Sequence, residues 1–279
     1  MTDRPHAPAR ERGFPSAILG LALCVLCQPA RAVPGTLRTT DGKSVQGEIA
    51  IEAGGFKVTS PNRIVENFEL SRVALVEMPT DKPAREDAGS RRDPIPKEGS
   101  SSASRPATNT LPTRRGVLLW DGTFLTWSVR GANDRTVRLG GPKEIEVPWS
   151  QVARLSFADL TPEMLARVPT GRAGALVAGR EFVEGEVKSI ADQRVTISSV
   201  LFGLRTLEGD QRATAVFLRA VTPRRCRYEI KLRNGSCLRA DLFDCEKGGF
   251  VLRDGVLRGT RINTWELLEL RLLPGTKPR

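Results

Sequence analysis

Histidine is almost missing from this chain: its 279 residues hold one, His6. That residue falls in an N-terminal segment expected to be removed. The mature chain then has no imidazole base, no Ser-His or Cys-His nucleophile and no histidine-containing zinc site. Carboxylate, lysine and tyrosine chemistry stay open, but the commonest enzyme classes drop out. Aromatic residues are also scarce, at 5%, and hydrophobic residues reach only 39%. So few large apolar side chains fill several small cores more readily than one large one. Long hydrophobic runs are missing as well. The run Ala17 to Leu26 (AILGLALCVL) is shorter than the roughly 20 residues a membrane span needs, and no later stretch approaches that length.

What is present near the start reads as a secretory signal peptide over residues 1–32. Arg4, Arg10 and Arg12 form a basic region, the apolar run follows, and Ala30-Arg31-Ala32 is an A-x-A cleavage site. The new N-terminus is expected at Val33, and neither Cys24 nor Cys27 follows the small residue a lipoprotein site wants. The expected location is therefore the periplasm, the cell envelope or the extracellular space. Loss of Arg4, Arg10, Arg12 and Arg31 with Asp3 and Glu11 lowers the formal charge from +11 to +9. The excess is scattered with no dense basic run, which favours solvated faces over a focused polyanion site.

Residues 79–115 hold two large apolar side chains, Ile95 and Leu111, among proline, serine and mixed charge. Such a segment cannot bury enough surface to offset its ordering entropy and is expected to be a disordered linker. On either side the sequence repeats. Gly35 opens GTLRTTDGKSVQGEI, and that stretch closes with Leu70 to Met78; Gly116 opens GVLLWDGTFLTWSV, closing with Trp149 to Phe157. The closing segments align without a gap: Ser71 on Ser150, Val73 on Val152, Ala74 on Ala153, Val76 on Leu155, Met78 on Phe157. Looser copies run from Gly174 to Leu218 and from Arg227 to Leu273, and Trp265 falls near the place of Trp149. The expected units are 33–78, 116–160, 173–222 and 223–274, with a short helix and linker over 161–172. Thr161 is the expected cap of that helix and Pro162 its first residue.

Each unit reads as short strands punctuated by turns. Asp121-Gly122 and Asn234-Gly235 lie between apolar runs and signal two-residue hairpins with both positions at positive φ. In the second unit the expected strands are 116–120, 124–130, 135–139, 144–148 and 152–157. The expected fold class is all-β: tandem small five-stranded SH3-like or Sm-like barrels joined by the disordered linker. The pattern G-x-L-x-x-x-DG-x-x-x-x-G-x-V, followed by a closing V-A-x-L-x-F-like strand, resembles small-barrel repeats of uncharacterised exported bacterial proteins of the planctomycete type. Ser198 to Leu207 (SSVLFGLRTL) is similar to the third repeat of that group. The resemblance covers most of residues 35–273. It implies a fold and an exported location but no activity; repeats of that group often precede carbohydrate-binding or laminin-G-like domains.

Candidate chemistry is thin. Glu184 and Glu186, with Glu181 nearby, are a candidate acid–base or calcium cluster, although an exposed strand face beside arginine explains them better. Ser198-Ser199 lacks the glycine-flanked elbow of hydrolases, and Gly171 to Gly179 lacks the Lys-Ser/Thr of a phosphate loop. Trp127, Trp149 and Trp265 are candidate partner-binding surfaces, against the commoner role of core filler. With a two-residue turn at 121–122, Trp127 stands across from Gly116 with one ring face uncovered. The same turn at 234–235 places Cys226 opposite Phe243, with Cys245 as its diagonal neighbour. Cys226–Cys245 is therefore the expected disulfide and Cys237 the free thiol; the alternative is three buried thiols. No catalytic residue, metal or cofactor is expected. The sequence implies an interaction or structural protein whose partner is an envelope or extracellular protein or a polysaccharide. A polyanion or nucleic-acid binder is the alternative, disfavoured by export.

Overall fold

A computed structural model of the protein describes residues 32–79, 112–133, 135–141, 144–191 and 194–274. It is all-β with open antiparallel sheets. The first stretch holds β1 (Val33–Thr39), β2 (Ser44–Glu52), β3 (Gly55–Thr59), β4 (Val65–Glu69) and β5 (Val73–Glu77). The second holds β6 (Gly116–Leu119), β7 (Phe124–Leu125), β8 (Ser128–Ala132), β9 (Thr136–Gly140), β10 (Glu144–Pro148) and β11 (Val152–Ser156). A short helix, α1 (Pro162–Ala166), follows; the Thr161 hydroxyl accepts from the Met164 amide at 3.3 Å, capping it. The third stretch holds β12 (Gly174–Val177), β13 (Glu181–Glu184), β14 (Glu186–Ala191), β15 (Arg194–Ser199), β16 (Gly203–Leu207) and β17 (Ala213–Phe217). The last holds β18 (Tyr228–Leu232), β19 (Cys237–Ala240), β20 (Phe243–Glu246), β21 (Gly249–Leu252), β22 (Arg261–Asn263) and β23 (Leu267–Leu272). A single 3-10 turn precedes the closing strand in every stretch, at Leu70–Arg72, Trp149–Gln151, Gly209–Gln211 and Thr264–Glu266.

The hairpin turns correct the two-residue expectation. Gly42, Gly122 and Gly235 have φ of +89°, +90° and +89°, while the residue before each stays at negative φ. Leu119 N donates to Thr123 O at 2.8 Å and Gly122 N to Leu119 O at 3.1 Å. Leu232, Ser236 and Gly235 repeat this pattern at 2.8 and 2.9 Å, and Thr39, Lys43 and Gly42 at 2.9 and 3.1 Å. These are three-residue loops in which only the glycine needs the left-handed region. The carboxyl of Asp121 and the amide oxygen of Asn234 accept from Thr123 N and Ser236 N, both at 2.9 Å, which holds the bend from inside. The third stretch also leaves three residues between paired positions, Val177 opposite Glu181, but turns with Ala178 at +48° and Gly179 at +68°. One extra loop residue shifts the strand register by one, and a one-residue shift exchanges the two faces of a strand. Lys231 therefore stands opposite Cys237, not Leu232, and Leu118 opposite Phe124.

Pairing between the stretches is not in chain order. The fourteen-stranded sheet runs β13-β12-β17-β11-β6-β7-β19-β18-β23-β5-β1-β2-β3-β4. The closing strands of the second and third stretches pair antiparallel, Leu155 opposite Val216. Those of the first and fourth do the same, Val76 opposite Leu270. The first stretch is thus not set apart from the rest. Of the expected linker 79–115, residues 80–111 lie outside the described residues, while Pro112 is held at the sheet by Arg154. The two halves meet where β7 pairs with β19 at Phe124 and Cys237. Thr126 N donates to Ser236 Oγ (3.1 Å) and Arg239 N to Thr123 Oγ1 (3.3 Å) across that seam. One face of the long sheet packs into a continuous apolar core drawn from all four stretches, including Leu37, Val76, Leu155, Val216, Ile230 and Leu270.

Candidate functional site

The tryptophans take three different roles. Trp127 is 8% exposed and belongs to the core. It lies beyond the β6–β7 ladder, and its ring covers Gly141, where an added Cβ would stand 2.5 Å away. The uncovered ring face expected from the two-residue turn does not exist. Trp149 is half-buried against the core and its indole N–H donates to the Asn133 carbonyl, a structural anchor. Trp265 is 55% exposed on the 3-10 turn before β23 and remains a free aromatic surface.

Cys226, Cys237 and Cys245 are free thiols. The corrected register explains why the expected Cys226–Cys245 bridge is not formed. The β18–β19 ladder ends at Tyr228 and Ala240, before Cys226 is reached, and Cys245 pairs with Phe250 in a separate three-stranded sheet. Burial pushes the thiols up, Cys226 to about 11 and Cys237 and Cys245 to about 12. Glu184 and Glu186 also part company. Gly185 separates their strands, and each meets its own cation, Arg172 at 3.0 Å and Lys188 at 2.6 Å.

Two features escaped the sequence reading. The first is the β15–β16 hairpin tip, where Val200, Leu201, Phe202 and Leu204 all project into solvent, Leu201 at 82% exposed and Phe202 at 61%. β16 is the edge of the six-stranded sheet β10-β9-β8-β14-β15-β16, so the patch sits beside unpaired backbone. Its signal was visible as VLFGL, a run with neither charge nor an alternating polar residue. The second is a cleft of about 630 Å³ at the junction of the two halves. Its floor is the outer face of the sheet. Arg154 stands there between Phe217 and Leu118 on neighbouring strands, and Arg239, Glu229 and Arg271 follow in register further along. Residues of α1 and the turn after it (Leu165, Val168, Arg172) and of the 219–223 connection (Arg219, Val221) line its walls.

Arg154 is the unusual member. It is 3% exposed, its Nη2 donates to the Pro112 carbonyl, and its guanidinium lies 6.0 Å from the Phe217 ring centre. Its Nε is buried without an acceptor, and no carboxylate comes within 4.0 Å among the described residues. Burial lowers its pKa to about 10, the mark of a charge poorly compensated by its surroundings. Leu75 occupies the aligned position of the first stretch, so an arginine amid VARLS was the available signal. No protein-family model and no curated protein matches this chain.

Proposed function

We propose that the protein is an exported, non-enzymatic interaction module built from four small SH3-like barrels, and that its partner is another protein of the envelope or extracellular space. Four recurrences of the strand order with a 3-10 turn before the closing strand support the barrel reading, as does the hairpin opening each unit. The partner reading rests on the apolar hairpin tip. Four adjacent aliphatic and aromatic side chains on an edge hairpin cost solubility and invite pairing unless a partner covers them. Aliphatic side chains favour a protein surface over a polysaccharide, which would use stacking aromatics. Several surface cations sit on carboxylates (Arg72–Asp41 at 3.5 Å, Arg253–Asp244 and Arg261–Glu246 both at 2.5 Å), which interrupts a continuous polyanion stripe. Export after Ala32 accords with strand formation beginning at Val33.

The test is capture of envelope proteins on immobilised chain 33–279, comparing the parent with the pair Leu201→Ser and Phe202→Ser. Retention of one defined protein by the parent and its loss from the tip variant is the expected outcome. Equal retention by both would remove the tip from the reading. Binding to heparin alone, lost at moderate salt, would favour a polyanion binder instead.

A further inference from the structure

The cleft of about 630 Å³ between the two halves has the size of a small-molecule site and a mixed apolar and cationic lining. Six cations line it: Arg154, Arg172, Arg219, Lys231, Arg239 and Arg271. Three carboxylates answer them. Glu184 holds Arg172 at 3.0 Å, and Glu269 holds both Lys231 at 3.0 Å and Arg271 at 2.8 Å. Glu229 is loosely shared, 3.9 Å from Lys231 and from Arg239. Arg154 and Arg219 have no carboxylate partner among the described residues, and the Nε atoms of Arg154 and Arg239 are both buried without acceptors. A buried guanidinium with an idle donor and no carboxylate is costly in an empty cleft and favourable around an anion. Leu118, Ala153, Leu165, Val168, Phe217 and Val221 also line it, so the anion's neighbourhood is in good part apolar.

We infer that this cleft binds a small amphiphilic anion, a carboxylate or phosphate headgroup on an apolar body. Arg154 engages the headgroup, and Phe217 with the α1 residues covers the body. The site is independent of the hairpin tip: the tip lies on the six-stranded sheet, the cleft on the fourteen-stranded one. The backbone also shows close accommodation of one of the lining cations. A Cβ added at Gly122 would stand 3.1 Å from Arg239 Nη1, so the turn glycine leaves the guanidinium room over the loop.

The experiment is titration calorimetry and thermal unfolding of chain 33–279 with four probes: decanoate, decyl phosphate, decanol and inorganic phosphate. Decanoate or decyl phosphate is expected to bind and to raise the melting temperature. Decanol and inorganic phosphate, each lacking half of the ligand, are expected to bind at least ~10-fold more weakly. Arg154→Met should weaken decanoate by on the order of 10- to 100-fold while the empty protein melts no lower than the parent. A merely structural arginine would instead lower the melting point and leave affinity unchanged in whatever folds. Should Arg154→Met fail to fold, Arg219→Gln at the exposed rim must still weaken decanoate several-fold. Equal binding of decanol overturns the anion requirement, equal binding of inorganic phosphate reduces the site to an unspecific anion cluster, and no binding of any probe removes it.

Discussion

The two closing-strand seams are built alike and filled differently. In one, β5 meets β23 with Leu75, Val76 and Glu77 opposite Arg271, Leu270 and Glu269. In the other, β11 meets β17 with Arg154, Leu155 and Ser156 opposite Phe217, Val216 and Ala215. The central apolar pair is the same in kind, so both seams close on the core in the same way. The flanking arginine is not. Arg271 has Glu269 at 2.8 Å; Arg154 has an aromatic face and a single carbonyl. Neutralising a cation within the fold makes it structural. Leaving one buried and incompletely partnered stores a cost that only a ligand removes, and proteins concentrate such costs at binding sites.

The largest effects should come from the shared feature. Leu155→Ala and Leu270→Ala each empty a fully buried position and should each cost about 3 kcal/mol in denaturant unfolding. A cheap Leu270→Ala beside an expensive Leu155→Ala would break the comparison, showing that the first stretch is only loosely seated on the fourth. The next effect separates the arginines. Glu269→Gln leaves Arg271 without its carboxylate and Lys231 with only Glu229 at 3.9 Å. Because both cations are more than a third exposed, it should destabilise by about 1 kcal/mol. Arg154→Met, removing a charge with no carboxylate, should be neutral or stabilising by about 1 kcal/mol in the empty protein. Opposite signs for the two changes would sharpen the contrast; equal losses would erase it.

Much of this contrast lay beyond the sequence for definable reasons. Closing segments were legible because their apolar positions recur at fixed offsets, and the helix was legible because Thr161 and Pro162 act locally. Among the aligned pairs Val73/Val152, Ala74/Ala153 and Val76/Leu155 nevertheless lies a column where an apolar residue faces a charged one, Leu75 against Arg154. Asp-Gly and Asn-Gly serve two-residue and three-residue loops equally well, since both need a glycine at positive φ. Choosing the shorter loop displaced the register by one and misplaced Trp127 and the cysteines together. The partnering of the first stretch with the fourth is non-local, and no residue within either one announces it.

The smallest effect follows from that displaced register, and it reads the cleft from the side of Cys237. This thiol faces Lys231 and lines the cleft, yet burial holds it up at about 12 against an ordinary 9.0. In the unfolded chain the thiol ionises through 9; in the folded chain it keeps its proton to about 12. The unfolded state thus binds fewer protons in that window, and the contribution of Cys237 to stability declines as pH rises through it. The decline is at most about 1.4 kcal/mol per pH unit above 9, less where neighbouring cations relax the burial. Unfolding measured at pH 8, 9 and 10 under reducing conditions should therefore fall more steeply for the parent than for Cys237→Ala. Identical slopes would mean that water reaches the thiol freely and that the cleft floor is less enclosed at Cys237 than at Arg154. A steeper parent slope that flattens on adding decanoate would instead mean that the thiol shares its surroundings with the bound headgroup.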